Sequence, residues 1–256
     1  QEGRVNDLGK CICCLNCMET LMAASEENGL RAQCTVNIEG GDECVYNDLK
    51  KDGAGRTVVV IGAGPSGLEA ARVLAERQFK VVLFEKKAMI GGQLNYANKP
   101  PKKDKINWVM EYYQSQIDKL GIEVRLNTEA TAENVKALNP YAVFYAAGSS
   151  PVLPRSIPGI NGKNVLTPPQ VLTGEVKLSG ENVCVVGSGM TGIETAELLA
   201  EQGNHIKLYE MADDIGPGLF FQNLIDVMNR LAPTECEYFP KRQLVELGDN
   251  YAKFKS

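Results

Sequence analysis

Four cysteines near the N-terminus, Cys11, Cys14, Cys17 and Cys34, are the residues of this chain best suited to metal chemistry. The first three are spaced C-x-x-C-x-x-C, which lets a compact loop turn several sulfurs toward one iron-sulfur cube. Thiolate donors with no histidine beside them favour iron-sulfur or zinc. Five of the eight cysteines fall within residues 11–34, and such clustering reads as ligation before it reads as disulfides. Cys44, Cys184 and Cys236 read as bystanders.

Two glycine-rich loops carry the second kind of chemistry. The run TVVVI at 57–61 suits a strand buried on both faces of a parallel sheet. Gly62-Ala63-Gly64-Pro65-Ser66-Gly67 follows at once, then LEAARVLAERQ with helical apolar spacing, then KVVLF at 80–84 ending in Glu85. This is strand, G-x-G-x-x-G, helix, strand, acid. The glycines allow the tight turn, the approach of backbone to a pyrophosphate and close packing of helix on strand; the acid meets a ribose. A helix N-terminus facing the phosphate adds free N–H groups and partial positive charge.

The construction recurs 125 residues later. VCVV at 183–186 is the strand, Gly187-Ser188-Gly189-Met190-Thr191-Gly192 the loop, 193–202 the helix, 205–209 the second strand and Glu210 the acid. Glu194 likewise lies 125 residues after Glu69. One such loop is weak evidence, whereas two in full context at one register predict two dinucleotide sites.

Stepping outward, 256 residues suffice for a large domain or two modest ones. A formal net charge of -5 offers no basic field for nucleic acid or an anionic membrane, so nucleotides must be gripped locally. No apolar run approaches the roughly 18–20 residues that cross a bilayer, and residues 1–10 lack a signal peptide's apolar stretch. A cytoplasmic location is the default expectation. The missing initiator Met and the abrupt ends suggest residues taken from something longer. Residues 50–56 read as a polar linker, 104–120 as a helix with Ile106, Val109, Tyr113, Ile117 and Leu120 on one side, and 122–126 and 141–145 as strands. Trp108, Tyr112 and Tyr113 read as surface packing, Pro151 to Pro158 as a stiff connector, and His205 as structural. The expected fold class is α/β: two Rossmann-like units preceded by a cysteine-rich segment, divided as 1–50, 51–160 and 161–256.

These residues carry a resemblance. Cys11-Ile12-Cys13-Cys14-Leu15-Asn16-Cys17 with Cys34, the loop at 62–67, Gly91-Gly92-Gln93-Leu94-Asn95, Ala146-Ala147-Gly148 and the loop at 187–192 together resemble the C-terminal part of the iron-sulfur flavoenzymes related to 2,4-dienoyl-CoA reductase, enoate reductase and trimethylamine dehydrogenase. The resemblance implies FAD at the first loop, or ADP alone in the trimethylamine dehydrogenase branch, and a nicotinamide nucleotide at the second. Gly62, Gly64, Pro65, Ser66 and Gly67 would cradle the FAD pyrophosphate, and Glu85 with Lys86 its adenosine ribose. Gly92, Gln93 and Leu94 would line the flavin, with Ala147 and Gly148 closing over it. Gly187, Gly189, Met190, Thr191 and Gly192 would hold the second pyrophosphate. Glu210 favours NADH over NADPH, because a 2'-phosphate would meet like charge. Cys11, Cys14, Cys17 and Cys34 would ligate a 4Fe-4S cluster.

The implied partner is an N-terminal FMN-binding TIM barrel, of the same polypeptide or complex, where an activated C=C bond is reduced. No protein nucleophile is required, since the cofactors supply the chemistry. The pattern also expects further strands after Ser256 to complete the nicotinamide unit, and it leaves room for a homo-oligomer. Two features depart from it: sixteen residues separate Cys17 from Cys34, and Cys13 adds a fifth thiol. Other readings stay open, namely a zinc knuckle on a redox-inactive nucleotide-binding module, a small subunit of the glutamate synthase type, and a cofactor-free structural role. A disulfide-exchanging reductase is disfavoured, because no C-x-x-C lies between the two loops.

Overall fold

A computed structural model describes residues 5–24, 29, 31–46 and 48–256. The chain divides into two compact units, residues 1–98 with 104–149, and residues 99–103 with 150–256. Among the described residues no helix is long and apolar enough to cross a membrane.

The first unit opens with short helices α1 (Asn16–Ala23) and α2 (Glu43–Tyr46). Then come β1 (Thr57–Ile61), α3 (Pro65–Glu76), β2 (Lys80–Phe84), α4 (Leu94–Ala97), α5 (Asn107–Leu120), β3 (Glu123–Arg125), α6 (Ala132–Lys136) and β4 (Ala142–Tyr145). The four strands are all parallel in the order β3-β2-β1-β4, with Thr57 opposite Lys80 and Val58 opposite Ala142. Alternation along β1 explains its wholly apolar sequence. Val58 and Val60 join Leu68, Ala71 and Leu74 of α3 and Ile117 of α5, whereas Val59 faces Val82, Phe84 and Val135 on the other side. Full burial of a valine, leucine or phenylalanine such as Val60, Leu68 or Phe84 contributes about 1.5–3 kcal/mol.

Two readings of this unit change. Residues 104–106 form a 3-10 turn ahead of α5, and Tyr113 is core packing: it lies against the first cluster and its hydroxyl donates to Glu69 Oε2 at 3.1 Å. The stretch expected to be a plain linker is pinned. Gly53 donates its N–H to Arg77 O, Arg77 is bidentate to Asp52 (3.0 and 2.7 Å), and the Arg56 guanidinium lies 3.9 Å over the Tyr141 ring.

The second unit contains α7 (Pro168–Leu172), β5 (Asn182–Val186), α8 (Met190–Glu201), β6 (His205–Tyr209), α9 (Phe221–Leu231), β7 (Cys236–Phe239), β8 (Gln243–Leu247) and β9 (Ala252–Lys255). Strands β5, β6 and β7 are parallel in that order, and β8 pairs antiparallel with β9. Ile193, Ala196 and Leu199 of α8 pack on Ile206 and Leu208 of β6 and on Val227 and Leu231 of α9. On β5, Val183 and Val185 belong to this core, whereas Cys184 and Val186 are exposed. The Tyr209 ring stacks on Phe254 of β9 at 3.9 Å and on Phe239 at 4.8 Å.

Candidate functional site: two glycine loops and a cysteine segment

The first loop leaves β1 through Gly62, whose φ of +100° favours glycine and whose N–H donates to Phe84 O at 2.8 Å. At Gly67 a Cβ would stand 1.8 Å from Gly62 O, so helix and strand touch through bare backbone. Pro65 opens α3 at a position that needs no N–H, with Gly64 as its N-cap. The GGQ segment folds against this loop: Gly91 donates its N–H to Ala63 O at 2.7 Å, and a Cβ on Gly92 would lie 2.8 Å from Gly64 Cα. Gln93 Nε2 donates to Ser149 O at 3.1 Å, joining the Ala147-Gly148 turn to the same site. Leu94 begins α4, half-buried; Pro65, Ser66, Ala147, Gly148 and Lys86 are exposed. Buried Glu85 accepts the Ala63 N–H on Oε2 (2.8 Å) and the Lys87 N–H on Oε1 (2.9 Å). The acid thereby fixes the loop that it adjoins.

The second loop repeats this design. Gly187 has φ +93° and donates its N–H to Tyr209 O at 2.8 Å, and a Cβ on Gly192 would lie 1.9 Å from Gly187 O. Gly189 caps α8, which starts at Met190; around Gly189 the space is open, with nothing within 4 Å of a would-be Cβ. Thr191 is exposed at the first turn of α8. Glu210 accepts the Ser188 N–H at 2.7 Å and the Ala212 N–H at 2.9 Å. Burial pushes its carboxyl upward, but the N–H groups of Ala212, Ser188 and Met211 and the Ser188 hydroxyl outweigh it and hold the group below the usual carboxylate range.

Sequence reading missed the cations that serve the duplicated acids. Glu69 is gripped by Arg72, Nε to Oε2 at 3.0 Å and Nη2 to Oε1 at 2.6 Å. Its counterpart Glu194 pairs with Lys103 at 2.5 Å. Burial raises the Glu194 carboxyl, with Lys103 opposing. Neither cation belongs to a loop motif, so only long-range geometry reveals Lys103; Arg72, three residues after Glu69 on a helix, was legible as an i,i+3 pair.

Among the described residues no cysteine forms a disulfide. Cys13 and Leu15 sit at φ +58° and +63°, which turns the C-x-x-C-x-x-C stretch sharply before α1 begins. Cys17 lies on α1. The sixteen-residue gap is closed by Asn16 Nδ2 donating to Gln33 O (2.9 Å) and Gln33 N–H donating to Thr20 Oγ1 (2.8 Å), which seats the residue before Cys34 against α1. Backbone N–H groups point at two of the sulfurs, from Cys13 to Cys11 Sγ and from Asn37 to Cys34 Sγ, both at 3.4 Å. The Cys14 thiol lies 3.3 Å from Thr35 Oγ1. Cys13 is instead engaged by Lys105 Nζ at 3.3 Å. Among the described residues no three His, Cys, Asp or Glu side chains converge closely enough to hold a single metal ion. Within the first unit the segment docks through Glu39 on Arg72 and through Lys10, which lies over the Trp108 ring and 3.7 Å from Glu111.

The family model for pyridine nucleotide-disulphide oxidoreductases matches residues 56–231. An NADH oxidase of Thermoanaerobacter brockii is 41% identical over 219 residues, covering 84% of this chain and 33% of that protein. A cinnamate reductase of Clostridium sporogenes is 37% identical over 202 residues, covering 79% and 30%. The solved structure of a 2-naphthoyl-CoA reductase complex superposes over 100% of this chain and 38% of its own, with a TM-score of 0.90 at 32% identity. The chain thus spans about a third of the length of the relatives it matches. Two linked glycine loops with their acids, a GGQ turn and a cysteine-bearing lead-in agree with these matches: the chain belongs to the pyridine nucleotide-disulphide oxidoreductase family, as the C-terminal FAD and NAD part of the enoate reductase and 2,4-dienoyl-CoA reductase flavoenzymes.

Proposed function

We propose that the chain is the electron-input part of an iron-sulfur flavoenzyme: FAD at the first loop takes hydride from NADH at the second, and a 4Fe-4S cluster relays single electrons toward an FMN-bearing barrel that reduces an activated C=C bond. The observation that carries this reading is the repeated acid-to-loop lock, Glu85 on Ala63 and Glu210 on Ser188, which supports two pyrophosphate sites in one chain.

The residues fit these groups. Gly62, Gly64 and Gly67 present backbone without side chains beside Pro65 and Ser66 at the N-terminus of α3, where free N–H groups suit a pyrophosphate. Glu85, beside Lys86, faces the adenosine ribose. Gly92, Gln93 and Leu94 shape the flavin side together with Ala147 and Gly148. Gly187, Gly189, Met190, Thr191 and Gly192 hold the second pyrophosphate, and the negative charge of Glu210 repels a 2'-phosphate. Residues 51–160 then serve the flavin and 161–256 the nicotinamide nucleotide, with 1–50 for the cluster.

Cys11, Cys14, Cys17 and Cys34 are the ligand set for the cluster. N–H groups directed at Cys11 and Cys34 stabilise thiolate charge and raise the potential of what the sulfurs hold. The C-x-x-C-x-x-C spacing crowds three ligands more than the usual spacing of a zinc site, which favours iron-sulfur. Lys105 draws Cys13 aside from this set.

Anaerobic purification followed by iron, sulfide and flavin analysis tests the reading. FAD with four irons per chain is expected, and NADH should bleach the flavin absorbance. Flavin without iron would reduce the chain to a plain NADH-dependent flavoprotein; no bleaching would remove the second nucleotide site.

A further inference from the structure

The two ribose-facing acids are built alike except at one atom. Glu85 and Glu210 are 7% and 6% exposed. Each takes one N–H from its glycine loop on Oε2 and one on Oε1 from the residue two positions further on. Where the first loop has the methyl of Ala63, however, the second has the hydroxyl of Ser188. Ser188 Oγ donates to Glu210 Oε2 at 2.9 Å and accepts the Gly216 N–H at 2.9 Å. Ser188 is fully buried, so water does not compete for either bond.

An ionised carboxylate has about four lone-pair positions, two on each oxygen. On Glu85 each oxygen carries one donor, which leaves one position open on each, a spacing suited to the two adjacent hydroxyls of a ribose. On Glu210 the Oε2 atom already carries two donors, the N–H and the O–H of Ser188. Only Oε1 keeps capacity for a ligand.

We infer that Ser188 is a specificity-determining residue of the second nucleotide site: by occupying Glu210 Oε2 it restricts that acid to a single ribose hydroxyl, so this site holds its dinucleotide more loosely than the first and suits one that exchanges. The inference rests on the assignment of the second loop to a nicotinamide nucleotide. A rival role for Ser188 is simple anchorage of the 211–219 loop through Gly216, and the two roles predict opposite signs on mutation.

The test is calorimetric titration of the FAD-loaded chain with NAD+ and with its 2'-deoxy and 3'-deoxy adenosine-ribose analogues. In the wild type, one deoxy analogue should bind on the order of tenfold more weakly and the other within about threefold of NAD+, because a hydrogen bond to a charged acceptor is worth roughly tenfold or more. In Ser188→Ala the freed oxygen should tighten NAD+ several-fold, and both analogues should then lose affinity. Equal losses for both analogues in the wild type would overturn the inference without any variant. Weaker or unchanged NAD+ binding by a folded Ser188→Ala would overturn it in favour of anchorage. Absence of any NAD+ binding by the wild type would instead sink the assignment of the second site, and this inference with it.

Discussion

Arg72 on α3 reaches Glu39 in the cysteine-bearing segment, Nη2 to Oε1 at 3.4 Å, while gripping Glu69 and Glu76 of its own helix. The guanidinium side chain is only 9% exposed, and hydrogen bonding to Glu69 keeps it firmly charged. Arg72→Met would leave the half-buried Glu69 without its cation beside the Tyr113 hydroxyl. A loss of about 3 kcal/mol in urea unfolding is expected, whereas Glu39→Gln, at the wetter end of the network, should cost under about 1 kcal/mol. Comparable losses for both would show that the contact between segment and helix, not the acid within α3, sustains the network.

The glycine pair at 67 and 192 offers a test of independence between the sites. Each would place a Cβ within 1.8 or 1.9 Å of a carbonyl oxygen in its own loop. Gly67→Ala should weaken FAD retention at least about tenfold, and Gly192→Ala should do the same for the nicotinamide nucleotide while FAD stays bound. Flavin fluorescence after gel filtration reads the first effect, and titration reads the second.

Thiol replacement separates ligands from neighbours. Cys14→Ser should abolish the broad visible absorption of the cluster yet preserve NADH-dependent bleaching of the flavin. Cys13→Ser should keep the iron, because that thiol is turned toward Lys105. Iron lost equally from both variants would show that Cys13 belongs to the ligand set.

Acid groups in the second unit titrate with opposite consequences. The Glu210 carboxyl is held low by hydrogen bonds, so it stabilises the fold above the ordinary carboxylate range, and this contribution disappears as pH falls through its depressed value. Glu194 is raised by burial, so its folded form favours the proton and its destabilising charge develops as pH rises. Lys103→Met should therefore cost about 2 kcal/mol near pH 8 and distinctly less near pH 5, whereas the cost of Glu210→Gln should be the same at those two values and shrink only as pH falls below the ordinary carboxylate range. Urea midpoints at these two pH values and at about pH 3 settle both signs.

Much of the fold was legible because its signals are local. The runs at 57–61 and 80–84 became β1 and β2 at those bounds, and the two acids stand where strand ends deliver them. The helix of the second loop starts earlier than read, at Met190, because the last loop residues form its first turn. What escaped depends on contacts between elements. Nothing near Gln33 in the sequence announces that it bridges to Asn16 and Thr20, and nothing near Lys103 announces Glu194. The alternation of side chains likewise reports which face a residue takes, not how much will cover it: Tyr145 at the end of β4 is 81% exposed despite an apolar run.

Gly53 has a further consequence. Any side chain there would land 2.3 Å from the Gln78 carbonyl carbon, and Asp52 and Arg56 are held on either side of it. The tether between the sulfur-bearing segment and the parallel sheet is thus clamped at its midpoint, with little slack for a swinging carrier. In the proposed relay, a cluster moored in this way would work at one span, leaving its tuning to the groups around the sulfurs instead of to motion.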